Sequence, residues 1–244
     1  MNICLFNREE IGVPLQLKDK RAEHLLKILH KKEGDSFNAG ITGGKSGAAV
    51  IEKITADGIY FSFKELSDGK KLLPLKLIIG FPRPIQLKRL LRDVAALGVC
   101  EVHLTGTELG EKSYMKSTLV EKGSAYNMLL DGTVQAGSTF VPELFLHQTF
   151  KECLLSVCFE SKGQLFLGLD NISPSMSLNS ALEKNSSDSI VAAIGSERGW
   201  TDKERTMMVN EGFILCSMGE RIMRTETAAT VASSIILNKM GYLS

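Results

Sequence analysis

Ser217-Met218-Gly219-Glu220-Arg221-Ile222-Met223-Arg224-Thr225-Glu226-Thr227-Ala228-Ala229 concentrates reactive and ligand-binding side chains immediately before an apolar run, Ala229 to Leu237. Thr225 or Thr227 can cap a helix made from that run, and Glu226 suits the positive end of its dipole. Arg221 and Arg224 are three apart, so both could face one polyanion or one carboxylate. A capped surface helix with charged neighbours would be written in the same way. A second segment sharpens the choice. Ile194-Gly195-Ser196-Glu197-Arg198-Gly199-Trp200 follows the apolar run Val191 to Ile194. Glycines at such a strand end let backbone approach a ligand closely, and ligands of parallel sheets lie at the C-terminal strand ends. The run Phe213 to Ser217 ends in the same manner at Met218-Gly219. Two glycine-bearing loops at neighbouring strand ends predict a pocket for a nucleoside-like ligand.

Other chemistries fit less well. Ala39-Gly40-Ile41-Thr42-Gly43-Gly44-Lys45-Ser46 matches a relaxed phosphate-loop pattern. No buried strand precedes it, and the residues after it are β-branched and short, so it reads as a hairpin turn. No GxGxxG fingerprint is present. The five cysteines form no CxxC pair and the four histidines have no zinc spacing, so reduced, mostly buried thiols and no metal are expected.

The elements that must position the two loops come in two textures. Residues 1–72 read as short apolar runs cut by Gly and Asp, with one amphipathic helix in Asp19 to Lys32 carrying His24, Leu25, Ile28 and Leu29 at helical spacing. Ser36 to Asn38, Ala48 to Ile54 and Gly58 to Leu66 read as strands, and a small β-barrel would hide their edges. From residue 73 to 244, strands (Leu75 to Phe81, Val99 to Leu104, Gln164 to Leu169, Ser189 to Ile194, Phe213 to Ser217) alternate with helices (Leu87 to Ala96, Lys116 to Leu130, Thr201 to Asn210). That alternation predicts an α/β domain with a mainly parallel sheet. Ile172 to Asp188, rich in Ser and Asn, reads as a mobile loop. The net charge of +1 over 244 residues excludes nucleic-acid binding by bulk charge. Any RNA contact must be local, and Arg83, Lys88, Arg89 and Arg92 form one candidate, although a solvated helix face explains them equally. No apolar run reaches membrane-spanning length and no signal-peptide pattern opens the chain, so a cytoplasmic protein is expected.

The paired loops resemble those of the SPOUT methyltransferases, and above all the family that methylates N3 of a uridine in small-subunit (16S) ribosomal RNA. That family reads Gly-Pro-Glu-Gly-Gly, a short helix, then Leu-Gly-x-Arg-Ile-Leu-Arg-Thr-Glu-Thr-Ala, and order and spacing agree here. The resemblance implies a C-terminal α/β trefoil-knot domain (73–244), an exception to the rule against knots, preceded by a PUA-like β-barrel RNA-binding domain (1–72). It implies S-adenosylmethionine bound beside a homodimer interface, with ribosomal RNA as partner. By motif position Leu167 and Gly168 fall on a first cofactor loop, and Ile194, Gly195, Glu197 and Gly199 on a second. Ser217, Met218, Gly219, Ile222, Met223, Thr225, Thr227 and Ala228 fall on a third. Methylation at N3 must displace a weakly acidic proton, which calls for a cation beside the uracil oxygens. Arg224 is assigned that electrostatic role, with Glu226 orienting it or serving as base. The sulfonium supplies its own leaving group, so the reaction needs no metal, and the target base must be unstacked. Arg83, Lys88, Arg89 and Arg198 are the expected RNA contacts.

Several family positions differ. Gly-Pro-Glu-Gly-Gly has become Gly195-Ser196-Glu197-Arg198-Gly199, a family Lys and Glu are Asp93 and Ala96, and family arginines are replaced by Ser138 and His30. These lost charges suit an RNA-facing surface. A paralogue with a different RNA target, or a non-catalytic knotted RNA-binding module, would therefore also fit the pattern. Arg198 could replace a lost phosphate contact, and the intact Arg224-Thr225-Glu226-Thr227 cluster argues against a purely structural role.

Overall fold

A computed structural model describes residues 2–116, 124–161 and 163–243. The chain divides into two compact units, one of residues 1–71 and 130–141, the other of 72–129 and 142–244.

The first unit is built on a four-stranded sheet, β1 (Cys4–Phe6), β2 (Ser36–Ile41), β3 (Ser46–Thr55) and β4 (Gly58–Ser67), in that order. β1 runs parallel to β2, and the other pairs are antiparallel. Gly43, at φ 70°, makes the β2–β3 turn that the sequence read as a hairpin. A short helix, α1 (Lys20–Glu23), widens into a π-helical turn over His24–Ile28. Ala22 and Leu25 pack with Phe6, Phe37, Ile51, Ile59 and Phe61. Ile28 and Leu29, expected on the buried face, are 65% and 44% exposed. The wider turn breaks the 3.6-residue periodicity on which that expectation rested. Residues 130–141 join this unit, and there the Thr139 hydroxyl donates to the Gly44 carbonyl at 2.7 Å.

The second unit holds β5 (Leu73–Gly80), β6 (Val99–Thr105), β7 (Glu143–His147), β8 (Leu165–Leu169), β9 (Met176–Ser177), β10 (Ile190–Ile194) and β11 (Ile214–Ser217). Their order is β7-β6-β5-β10-β8-β11-β9, and every neighbouring pair is parallel. Helices α2 (Pro84–Ala96) and α8 (Thr225–Lys239) pack together, with α8 also against β5 and β10. Helices α5 (Phe150–Glu160) and α7 (Asp202–Asn210) contribute Phe150, Cys153, Leu154, Val157 and Met208 to a core with Ile78, Val191 and Ala193. Residues buried on both faces explain why these strands read as continuous apolar runs. The other described helices are α3 (Lys112–Met115), α4 (Ser124–Gln135) and α6 (Leu178–Lys184).

Two expectations change. Of the helix expected over Lys116 to Leu130, residues 117–123 lie outside the described residues, and the helix from Ser124 runs on to Gln135. Ile172 to Asp188 contains β9 and α6 and is not one open loop. Ser177 caps α6 by accepting from the Ser180 N–H at 3.1 Å, and Leu178, Ala181 and Leu182 are buried at helical spacing. The serine that suggested a loop is a cap. Among the described residues no helix is long and apolar enough to cross a membrane.

Candidate functional site

The C-terminal ends of β8, β10 and β11 lie side by side, with Leu169 in register with both Ile194 and Cys216. β10 sits between β5 and β8, where the winding of the sheet reverses, the position at which open parallel sheets take ligands. The segments leaving these ends enclose a cleft of about 520 Å³ lined by residues 169–172, 194–199 and 218–223 with Cys216, Thr225 and Ala228. That volume suits a nucleoside-sized ligand.

Backbone geometry holds the cleft open. The Gly199 N–H donates to the Ser196 carbonyl at 2.9 Å, closing a tight turn with Gly199 at φ 73°. A Cβ on Gly195 would stand 3.0 Å from the Gly199 backbone, so a side chain there must push the turn open. The turn is anchored by the buried Trp200, whose Nε1–H donates to the Leu169 carbonyl at 3.0 Å. On the opposite loop Gly219 has φ 103°, in the region that favours glycine. The Thr225 hydroxyl donates to the Gly195 carbonyl at 3.3 Å, tying the two glycine loops together. Ser196 Oγ is buried without a hydrogen-bond partner and belongs to the cleft wall, a polar group left for a ligand to satisfy.

Asp170 at the end of β8 anchors the third wall. Its carboxylate accepts from Arg205 Nε at 3.0 Å and Nη2 at 3.1 Å, with side-chain exposures of 1% and 8%. The Ser173 N–H also donates to it at 2.8 Å, and the Asp170 N–H donates to the Cys216 carbonyl at 2.9 Å. Burial pushes the Asp170 carboxyl up, but the Arg205 hydrogen bonds and the Ser173 and Ile172 backbone hold it below the ordinary carboxylate value.

The structure gathers most of the expected ligand residues and displaces some. Ile194, Gly195, Glu197, Gly199, Met218, Gly219, Ile222, Met223, Thr225 and Ala228 all line the cleft. Leu167 and Gly168 do not. Both lie within β8, and a Cβ on Gly168 would meet Leu215 at 2.8 Å and Met208 at 3.0 Å, so that glycine serves strand-to-helix packing. The lining from this strand starts at the next residue, Leu169, and continues through Asp170, Asn171 and Ile172, none of which was among the expected ligand residues. An Asp-Asn pair directly after an apolar strand was the available signal. Ser217 ends β11 and Thr227 is exposed on α8, neither of them on the lining. Neither Thr225 nor Thr227 caps α8, because the N-cap is Arg224, which makes no side-chain cap bond. Arg224 is exposed between two lining residues, and Glu226 occupies the first turn of α8. Among the described residues no ion pair joins the two.

Arg83 is the N-cap of α2 and reaches the loop, with its Nε 3.2 Å from Glu197 Oε2. Hydrogen bonding with Tyr114 and the charge of Glu197 hold its guanidinium above the ordinary value. Arg198 lines the cleft and is exposed, whereas exposed Lys88 and Arg89 stand farther along α2 and off the lining. Gly80, which the sequence reading passed over, ends β5 beneath the loop. A Cβ there would come within 2.5 Å of the Ser196 nitrogen and 2.9 Å of Thr107 Cγ2. A larger cavity of about 1080 Å³, lined by Thr107, Glu108, Gln148, Thr149 and Lys203 among others, borders Lys116 at the edge of the described residues.

A family model described as an RNA methyltransferase domain matches residues 69–237. Over 97% of its length the chain is 40% identical to the ribosomal RNA small subunit methyltransferase E of Treponema pallidum, covering 91% of that protein. It is 31% identical to the ribosomal RNA small subunit methyltransferase E 1 of Borreliella burgdorferi, over 98% of this chain and 99% of the relative. In fold it is similar to the crystal structure of a ribosomal RNA small subunit methyltransferase E from Neisseria gonorrhoeae bound to S-adenosyl methionine. The TM-score is 0.80, the identity is 19%, and the match covers 98% of this chain and 97% of that one.

Proposed function

The chain belongs to the RNA methyltransferase family of the ribosomal RNA small subunit methyltransferases E, and from that premise we propose that it methylates N3 of a uridine in small-subunit ribosomal RNA. It is an S-adenosylmethionine-dependent ribosomal RNA methyltransferase. The observation that carries the reading is the cleft at the ends of β8, β10 and β11, tied across its two glycine loops by the Thr225–Gly195 hydrogen bond.

The residues present suit the cofactor. Apolar Leu169, Ile194, Met218, Ile222 and Ala228 offer faces for a base, while the orphaned Ser196 hydroxyl and the backbone of the 194–199 and 218–223 loops offer polar partners. Bound S-adenosylmethionine would supply an electrophilic methyl group on a sulfonium that carries its own leaving group. The exposed guanidinium of Arg224 stabilises negative charge on the uracil oxygens as the N3 proton leaves. Glu226, unpaired with Arg224, accepts that proton on its carboxylate. Arg198 and Arg83 flank Glu197 at the cleft rim and contact RNA phosphate, with Lys88 and Arg89 extending that surface along α2. The first unit, 1–71 with 130–141, acts as a PUA-like RNA-binding domain, and the second, 72–129 with 142–244, as a knotted catalytic domain, in a cytoplasmic homodimer.

Incubation of the protein with isotopically labelled S-adenosylmethionine and small subunits lacking the modification, followed by digestion and mass spectrometry of nucleosides, tests the reading. Label in 3-methyluridine is the expected result. Label in a different nucleoside overturns the N3-uridine assignment, and absence of label in a preparation that binds cofactor overturns the ribosomal target.

Gly80 supplies an independent prediction. In Gly80→Ala the new methyl displaces the 195–196 backbone, and cofactor affinity measured by calorimetry drops at least about tenfold with little change in α/β content. Unchanged affinity would show that the loop relaxes without consequence.

A further inference from the structure

Away from the cleft, three side chains with metal-ligand chemistry converge from three elements. His103 on β6, His147 on β7 and Cys153 on α5 place one ligand atom each within 4.8 Å of one another. His103 and Cys153 are fully buried and His147 is half-buried. Spacing in the sequence could not show this, because parallel pairing of β6 with β7 brings the histidines together over 44 residues.

We propose that His103 Nδ1, His147 Nε2 and the Cys153 thiolate form a zinc site, with water as fourth ligand. Zinc bonds of about 2.0–2.1 Å to nitrogen and 2.3 Å to sulfur, set tetrahedrally, put two nitrogens about 3.3 Å apart and nitrogen and sulfur about 3.6 Å apart. The two histidine nitrogens already stand 3.1 Å apart. The sulfur must draw in by about 1 Å, the scale of a side-chain adjustment. The second observation lies behind the first ligand. His103 Nε2 is 3.1 Å from Glu101 Oε2, and Glu101 pairs with Lys76 at 2.9 Å. A carboxylate on the far nitrogen of a histidine fixes its tautomer and raises its basicity, the arrangement that supports metal-bound imidazoles. It also leaves Nδ1 bare, directed at His147.

With His103 protonated at Nε2 toward Glu101, the proton between the two rings belongs to His147 Nε2. On zinc binding His147 changes tautomer through solvent on its exposed side, taking a proton at Nδ1 and giving up the one at Nε2. The Cys153 thiol loses its proton to buffer. Net release is about one proton per zinc, because zinc is bound by the thiolate and the thiol must give up its proton.

The full chain, stripped with chelator, would be titrated with Zn²⁺ against a chromophoric competitor, and separately with Co²⁺. Expected are one tight equivalent, release of about one proton, and a thiolate-to-cobalt band in the near ultraviolet. Cys153→Ser should lose that band, and Glu101→Gln should bind about 10–100-fold more weakly. Cys158→Ser, altering the half-buried cysteine on the same helix, should bind normally. His147→Asn, at the least buried ligand, keeps the test open if Cys153→Ser fails to fold. A hydrogen-bonded histidine pair without metal chemistry predicts no tight equivalent, and surface binding predicts equal affinity in Cys153→Ser and His147→Asn. Either result overturns the site.

Discussion

Arg224→Ala lowers the rate of methyl transfer about 10²–10³-fold while S-adenosylmethionine affinity stays within about twofold. The split follows from where the residue sits. Arg224 is exposed, its neighbours Met223 and Thr225 line the cleft, and its own side chain does not. It occupies the N-cap of α8 at φ −66° and ψ 153° without a side-chain cap bond, so alanine costs that helix little. The loss is therefore confined to the step in which charge builds on the uracil oxygens. Single-turnover rates with labelled cofactor, set beside calorimetric affinity, separate the two quantities. Arg224→Lys should recover part of the rate through its charge, since a point charge replaces only part of a planar fork. Arg221→Ala, in the same loop, should retain most of it. Turnover at the parental rate in Arg224→Ala would remove Arg224 from the chemistry and leave it as an RNA contact at most.

The parts of this architecture that repeat locally could be read from the sequence, and the parts made by distant residues could not. The parallel sheet was legible because β5, β6, β8, β10 and β11 are short apolar runs with helices between them, and doubly buried strands leave that trace. The glycine loops were legible because Gly195 follows the apolar run ending at Ile194 directly and Gly219 follows the run ending at Ser217 by two residues. Residues 130–141 belong to the first unit although they follow residues 72–129 of the second, and no composition shift marks that return. The helix α5 went unread although Thr149 and Glu152 form a capping box at its start. Asp170 escaped notice because its partner Arg205 lies 35 residues away on α7. Leu167 and Gly168, assigned to the first loop, lie within β8 and off the lining for a related reason. An apolar motif fixes a strand, but the residue at which the strand ends depends on pairing with β10 and β11.

That buried pair carries the largest expected effect on stability. In Asp170→Ala the Arg205 guanidinium keeps its burial and loses a bidentate partner, and the Ser173 N–H loses its acceptor. Breaking such a pair costs about 3–5 kcal/mol, which for a domain of this size lowers the unfolding midpoint by about 6–20 °C. Asp202, 98% exposed and 2.9 Å from Arg205 Nη1, softens the loss without replacing it. Removing both charges in Asp170→Ala/Arg205→Met should recover a substantial part of the stability, because no uncompensated charge is left behind. The pH dependence has a definite sign. The Asp170 carboxyl is held below its unfolded value of about 3.9, so its contribution is complete above that value and is lost as pH falls through the folded-state value. The stability gap between parent and Asp170→Ala should accordingly be constant from pH 5 to 8 and narrow below about pH 4. Cofactor affinity should fall with it, since Asp170 closes one wall of the cleft and its N–H holds β11 through the Cys216 carbonyl. A single mutant as stable as the parent at pH 7 would mean that water or Asp202 satisfies Arg205, and that the pair shapes the cleft wall without stabilising the fold.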